Sequence, residues 1–194
     1  GTGCGVTRYG HGARGPTGGI EVLEAGHPTP DEASLSAGRR IREWASSARA
    51  DDRVIFLISG GGSALLCDPI DGLSLTEKAQ ITRHLVQSGA SIADINLVRR
   101  HLSKVKGGGL ATAARACGDM HSFLISDVAG DDPAAIASGP TIAAPFDPDA
   151  ALALLARYGC PVSEALATTL RAQQPTVAPP HPVHIIATAQ TALD

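Results

Sequence analysis

Aromatic residues are scarce in this sequence. Phenylalanine, tyrosine and tryptophan make up 3% of the 194 residues, so the interior must be built mainly from alanine, leucine, isoleucine and valine. The sequence also lacks an excess of basic residues, and its formal net charge of −3 argues against a general nucleic-acid-binding protein. Long apolar runs are missing too, since none approaches the roughly 20 residues of a membrane-spanning helix. We therefore expect neither a nucleic acid nor a membrane as a partner.

Cysteine is another rare residue. The chain has four cysteines, Cys4, Cys67, Cys117 and Cys160, which lie far apart and share none of the short spacings of metal-binding cysteines. Four free thiols in a reducing compartment is the simplest interpretation, and it predicts a cytoplasmic protein. With 43% hydrophobic and 18% charged residues, the composition is that of a globular protein and not of a disordered one.

The most informative stretch runs from Val54 into a glycine turn at Gly60-Gly61-Gly62. Its apolar part shows no alternation, which predicts a strand buried on both faces, as in a parallel sheet covered by helices. Ser63 is a candidate N-cap for a short helix. A strand, a glycine turn and a helix together point free N–H groups and the positive end of a helix dipole at one spot, which favours an anion.

The glycine turn matches no standard motif. It lacks the Gly-Lys-Ser/Thr ending of a P-loop, and Leu65 stands where a dinucleotide-binding fingerprint has its third glycine. Leu65 also excludes the nucleophile elbow of the α/β-hydrolases. The alternative interpretation is a tight connection that binds nothing. We favour contact with a ligand, because three consecutive glycines destabilise a loop that does not need them.

Two helices are expected after this turn. Ser74 and Glu77 form a capping box for the first, which should end near Gly89 and pack through Leu75, Ala79, Thr82 and Val86. Ser91 caps the second, whose apolar stripe runs to Val105. At 100° per residue, the second helix collects polar side chains on one flank, where they could grip a phosphate or a carboxylate. These residues are Asn96, Arg99, Ser103 and Lys106, with Arg100 and Lys104 opposite.

Two further stretches are candidates for the same site. Gly107-Gly108-Gly109 opens another predicted helix, which gives a second turn suited to an anion. The buried strand ending at Ile125 is followed by carboxylates that could hold Mg²⁺, with Asp127 favoured as metal ligand or base, Asp131 next and Asp132 least. Asp132 precedes Pro133 and is better explained as an N-cap, with Pro133 at the first helical position. His27, between two turn segments, is either a site residue or a turn residue.

Strands and helices alternate along the chain, and three strands end in glycine or carboxylate clusters. This pattern predicts an α/β fold with a Rossmann-like, doubly wound, largely parallel sheet and helices on both faces. Ligands of such sheets bind beyond the carboxyl ends of the strands. Val183 to Ala187 is expected to be a further buried strand, and the residues after it to begin a helix.

The chain resembles the class II glycerate 2-kinases, a family that also includes proteins labelled hydroxypyruvate reductase. The matching segments cover most of the chain in order. They are residues 9–11, 24–28, 30–31, 59–65, 96–108, 126–128, 130–133 and 136–141. The resemblance implies ATP-dependent phosphorylation of the 2-hydroxyl of D-glycerate, giving 2-phosphoglycerate, with Mg²⁺ as the metal. It also implies that residues 1–194 are most of an amino-terminal Rossmann-like domain, without its start and without the carboxy-terminal domain.

We therefore predict a kinase whose partners are D-glycerate and a nucleotide, with a homodimer as one option for its assembly. Arg99, Lys106 and Asp127 are the predicted catalytic residues, with Asp127 and Asp131 as the metal ligands. The predicted substrate- or phosphate-binding residues are Ser59, Gly60, Gly61, Gly62, Ser63, Asn96 and Ser103. Two alternatives are an NAD(P)H-dependent hydroxypyruvate reductase and a non-catalytic fragment that binds a small anion. The fragment alone is expected to be inactive.

Overall fold

The computed structural model describes residues 1–188 and Gln190, and it contains parallel strands alternating with helices. The strands are β1 (Gly3–Arg8), β2 (Ile20–Ala25), β3 (Arg53–Ser59), β4 (Asp119–Ile125) and β5 (Val183–Ala187). The helices are α1 (Glu32–Ser46), α2 (Gly62–Leu65), α3 (Leu75–Gln87), α4 (Ile92–His101), α5 (Gly109–Ala113), α6 (Pro148–Arg157) and α7 (Glu164–Ala172), with a 3-10 turn at Ile136–Ser138. The helix expected after β5 lies outside the described residues.

All strand pairs in the described part of the chain are parallel. Strand β4 lies between β3 and β5, and β1 pairs with β2 in a separate two-stranded sheet. The predicted parallel α/β fold is therefore confirmed, although its described strands form two small sheets. In the larger sheet, Ser59 lies opposite Ile125, so β3 and β4 end side by side. This register brings the glycine turn and the aspartates after β4 to the same edge.

Strand β3 is covered on one face. Val54 and Phe56 are buried against α1 and α5, whereas Ile55 and Leu57 on the other face are 51% and 78% exposed. The prediction that both faces are buried is therefore wrong for the described residues. The prediction that β5 is buried is wrong in the same way, since Val183 to Ile186 are exposed. An apolar run without alternation cannot by itself tell whether a second layer of chain covers the strand.

The helices enclose two apolar clusters. One lies between α1, β3, α5 and β4, and the other lies between α3, α4, α6 and α7. Helix α4 contributes Val98 to the second cluster, while the chain that follows it brings Val105 into the first. The end of α4 is thus fixed between two packed cores. Within the described residues, none of these helices has the length and the apolar character that crossing a membrane requires.

The predicted capping box at the start of α3 is confirmed. The Ser74 hydroxyl accepts a bond from the Glu77 N–H at 3.1 Å, and the Glu77 carboxylate accepts one from the Ser74 N–H at 3.0 Å. Two of the N–H groups that the first turn of a helix leaves free are satisfied in this way. The cap fixes where α3 begins, and therefore which of its side chains face the site.

Replacing Ser74 with alanine should lower the free energy of unfolding by about 1 kcal/mol, because the Glu77 N–H loses its acceptor. Urea denaturation of the full-length protein measures this change. Thr76→Ala is the matched control, since Thr76 is exposed in the same turn and does not cap the helix. Equal unfolding midpoints for the two variants would contradict the prediction.

Candidate active site

A cavity of about 520 Å³ opens beyond the carboxyl end of β3. Its walls are the loop of residues 27–30, the glycine turn, one face of α3 and the end of α4. Gly60, Gly61, Ser63, Arg99 and Lys106 all line it, as the sequence predicted for a shared site. His27 lines it too, so of its two interpretations the site residue is the one that the geometry favours.

Gly60 brings the glycine turn into direct contact with Asp127. A Cβ atom added at Gly60 would overlap the Asp127 carboxylate, so only glycine permits this approach. Because β3 and β4 end side by side, their two loops meet at this point. Asp127 is thus placed at the edge of the cavity through Gly60, although it does not line the cavity itself.

The helix that follows the glycine turn is shorter than an anion site needs. Helix α2 has four residues, and its N-cap is Gly61 and not Ser63, so the predicted serine cap is wrong. A single turn aligns few peptide dipoles and contributes little field. Any charge that attracts an anion here must therefore come from side chains around the turn.

Lys106 ties the glycine turn to the rest of the site. Its Nζ lies 2.9 Å from the Ser63 carbonyl, 3.2 Å from Ser63 Oγ and 3.4 Å from the Ala137 carbonyl. Burial holds its pKa well below the ordinary value, and the nearby cations Lys78 and Arg99 lower it further. Even a neutral amine could donate to both carbonyls and accept from the hydroxyl. Lys106 is therefore anchored in either protonation state.

Asn96 reaches the turn through a hydroxyl relay. Ser63 Oγ lies 3.1 Å from Ser138 Oγ, and Ser138 Oγ donates to Asn96 Oδ1 at 3.3 Å. Asn96 is buried and does not line the cavity. Its position suits a residue that orients Ser63 and not one that touches a ligand.

Ser103 lies away from the cavity. Helix α4 ends at His101 and not beyond Val105 as predicted, so the helical spacing that grouped Ser103 with Asn96 and Arg99 does not apply. The Ser103 hydroxyl instead donates to the Asp68 carbonyl at 3.4 Å. Lys106 still reaches the cavity, but it does so from the irregular chain after the helix.

The second glycine turn does not offer free donors. The N–H groups of Gly107 and Gly108 donate to the carbonyls of Ser138 and Gly139 at 3.2 and 2.8 Å. Gly107 and Gly108 adopt φ values of 56° and 89°, which residues other than glycine rarely adopt. This turn therefore packs against the Ser138–Gly139 segment, and the prediction of a second anion site is wrong.

Helix α3 forms one wall of the cavity, where the sequence predicted packing alone. Leu75, Ala79, Thr82 and Val86 line the cavity, while Ile81 and Leu85 pack in the core. Between these two sets lies Lys78, which is 6% exposed and lines the cavity. The sequence analysis missed Lys78. The signal was a lysine at positions i−3 and i−7 from Ile81 and Leu85, on the buried face of an amphipathic helix.

The cavity is strongly cationic. Lys78, Arg83, Arg99 and Lys106 line it, and of the described residues that do so none is acidic. Burial lowers the pKa of Lys78 and of Arg99, which means that their charged forms are poorly solvated. An oxyanion would stabilise these charges.

Asp127 and Asp131 differ in how well they suit a metal. The Asp127 carboxylate is exposed and accepts no hydrogen bond from the described residues. Mg²⁺ commonly takes one or two carboxylates together with substrate phosphates and water, and Asp127 fits that mode. Asp131 is a turn residue with φ 52°. The described residues contain no cluster of three or more metal-binding side chains.

Asp132 accepts a hydrogen bond from the Ala134 N–H at 2.9 Å. The contact is a local Asx turn and not a helix cap. No helix of the described chain begins at Pro133, since the next helical turn spans Ile136–Ser138 and has Ala135 as its N-cap. Ser59 ends β3, and Gly62 begins α2 against Ala137. Of the predicted site residues, five line the cavity. Asn96 and Asp127 support the glycine turn without lining the cavity, and Ser103 lies elsewhere.

The fold and the cavity together define a class: parallel α/β proteins with a cationic cavity beyond the strand ends, where such folds bind their ligands. Residues 1–171 match the family described as Domain of unknown function (DUF4147), and the chain belongs to that family. Its relatives include glycerate kinases, so the resemblance drawn from the motifs is confirmed.

Three relatives illustrate the match. The chain is 48% identical over 165 residues to a protein of Agrobacterium vitis named "Putative hydroxypyruvate reductase", covering 85% of this chain and 37% of that protein. It is 40% identical over 189 residues to the D-glycerate 2-kinase of Thermotoga maritima, covering 97% and 45%. The crystal structure of a glycerate kinase from Thermotoga maritima superposes with a TM-score of 0.90 at 39% identity, also covering 97% and 45%. The chain thus spans less than half the length of these relatives.

Proposed function

We propose that this chain is part of an ATP-dependent kinase that phosphorylates the 2-hydroxyl of D-glycerate to give 2-phosphoglycerate. The observation that carries the proposal is the cavity beyond β3, with four basic side chains and no acidic one among its described lining residues. Phosphoryl transfer depends mainly on positioning and on neutralising charge, with little covalent chemistry. A cationic cavity of this kind supplies both. The relatives named as glycerate kinases support the choice of reaction.

Each site residue has a role in this proposal. Arg99 neutralises the phosphoryl group during transfer, and Lys106 holds the Gly60–Ser63 turn against the cavity. Asn96 orients Ser63 through Ser138. Asp127 would hold Mg²⁺ or accept the hydroxyl proton, with Asp131 as a further metal ligand. When bound, Mg²⁺ supplies charge neutralisation at the phosphate oxygens.

The same proposal includes the setting of the enzyme. We place residues 1–194 in most of the amino-terminal domain of a longer kinase and the reaction in the cytoplasm. All four cysteines are free thiols, which suits a reducing compartment. A homodimer stays a prediction.

The test uses the full-length protein with D-glycerate and Mg-ATP, and it follows the product by phosphorus NMR. We expect 2-phosphoglycerate to form only when ATP and Mg²⁺ are both present. A parallel assay with hydroxypyruvate and NADH should show no loss of NADH absorbance. Oxidation of NADH without phosphoryl transfer would establish the reductase instead. Absence of both activities would favour an anion-binding protein.

A further inference from the structure

Lys78 is a buried cation that the proposed reaction does not yet use. It lies on the inner face of α3, next along the helix to the core residues Ile81 and Leu85. Its side chain is nevertheless not part of the apolar cluster, because it lines the cavity. A lysine at such a position is costly unless its ammonium group has a partner.

The partners of Lys78 within the described residues are few. Its Nζ lies 3.7 Å from Cys67 Sγ, and a cysteine sulfur is a weak acceptor. Asp68, which follows Cys67 in the chain, forms its ion pairs with other residues. Its carboxylate pairs with Arg42 at 2.6 Å and with Arg39 at 3.7 Å. Lys78 therefore keeps most of its three donors unused.

Lys106 offers a direct comparison in the same cavity. Three acceptors surround its Nζ, which is as many as an ammonium group has donors. Arg99 resembles Lys78, since its guanidinium forms neither an ion pair nor a hydrogen bond with the rest of the described chain. Among the described cavity residues, Lys78, Arg83 and Arg99 are thus free to bind a ligand. Arg83 is exposed to solvent, so the buried Lys78 and the half-buried Arg99 are the two that gain most from a bound oxyanion.

We propose that Lys78 is a ligand-binding residue that acts with Arg99 to hold one oxyanion in the cavity. The oxyanion is either the carboxylate of the acceptor or a phosphoryl oxygen of the nucleotide, which share the chemistry that an ammonium recognises. The inference rests on the proposed function only for the names of these two ligands. The binding of an oxyanion follows from the cavity itself.

Steady-state kinetics of the full-length protein test this role. In Lys78→Met, the KM of the ligand that Lys78 holds should rise about ten- to a hundredfold, because a hydrogen bond to a charged group is lost. The change in kcat should be much smaller. In Lys78→Arg, the KM should lie between that of Lys78→Met and that of the wild type. Lys104→Met is the matched control. Lys104 pairs with exposed Asp71 at 2.6 Å and does not line this cavity, so both KM values should stay at the wild-type level.

The KM for D-glycerate and the KM for ATP, measured separately, identify which ligand supplies the oxyanion. A higher KM for D-glycerate assigns Lys78 to the carboxylate, and a higher KM for ATP assigns it to the phosphates. KM values for Lys78→Met that match those of Lys104→Met would overturn the inference.

Thermal melting gives a readout that does not depend on catalysis. Inorganic phosphate or D-glycerate, compared with chloride at equal ionic strength, should raise the Tm of the wild type and of Lys104→Met but not of Lys78→Met. Without ligand, Lys78→Met should melt at the wild-type temperature or above it, because methionine removes an unpaired buried ammonium. A lower Tm would make Lys78 a structural residue and overturn the inference.

The melting experiment also separates the two proposals. If the wild type has no kinase activity but its phosphate-induced rise in Tm still depends on Lys78, the proposed function fails and the inference stands. If neither phosphate nor D-glycerate raises the Tm of the wild type, the inference fails whatever the kinase assay finds.

Discussion

Replacing Arg99 with alanine in the full-length protein is expected to lower kcat/KM for phosphorylation of D-glycerate by about 100- to 1,000-fold. Arg99 lies in the last turn of α4 and lines the cavity without an acidic partner. Its charge is therefore available to the phosphoryl group, whose negative charge is spread over several oxygens during transfer. Initial rates at varied D-glycerate and ATP concentrations measure the loss, and Arg99→Lys should recover part of it.

Arg100→Ala is the matched control for Arg99→Ala. Arg100 is the next residue of α4, but its side chain lies against Gly107 and a small separate cavity near Phe146. It carries the same charge on the same turn and faces away from the site, so its removal should leave kcat/KM near the wild-type value. Wild-type turnover in Arg99→Ala, or an equal loss in both variants, would remove Arg99 from the mechanism.

The features that the sequence predicts correctly are local. Ser74 caps α3 and Ser91 caps α4, and each cap depends on a side chain and an N–H group only three residues apart. The strand from Val54 to Ile58 and the turn at Gly60 are likewise encoded in consecutive residues. Parallel strands end at one edge of a sheet, which predicts the position of Gly61. Arg99 reaches the cavity on α4 as predicted, whereas Lys106 reaches it from the irregular chain after that helix.

The features that the sequence could not predict depend on distant parts of the chain. The apolar stripe of α4 continues to Val105, yet the helix stops at His101 because Val105 packs in a different core. The donors of Gly107 and Gly108 look free in the sequence, but carbonyls of residues 138 and 139 accept them. Helical spacing puts Lys78 on the buried face of α3, but only the fold shows that this face borders a cavity at Lys78.

Lys106 and Lys78 line the same cavity, but their removal should change stability in opposite directions. Lys106→Met leaves the half-buried carbonyl of Ser63 and the buried carbonyl of Ala137 without the donor that satisfies them. Each unsatisfied buried acceptor costs about 1–3 kcal/mol. Relief of the buried ammonium offsets part of this loss, so the net decrease in the free energy of unfolding should be about 2–4 kcal/mol. Lys78→Met likewise removes a buried ammonium group, but it leaves no backbone carbonyl without its hydrogen-bond donor.

Urea denaturation of the two variants beside the wild type measures this contrast. Lys106→Met should unfold at a lower urea concentration, whereas Lys78→Met should unfold at the same concentration or a higher one. Kinase activity should fall by at least about 100-fold in Lys106→Met even where it is fully folded, because the Gly60–Ser63 turn loses its anchor beside the reacting group. Equal stability of Lys106→Met and wild type would contradict the prediction. It would show that the three hydrogen bonds of Lys106 make no net contribution to the free energy of unfolding, and that its amino group is as free to bind a ligand as that of Lys78.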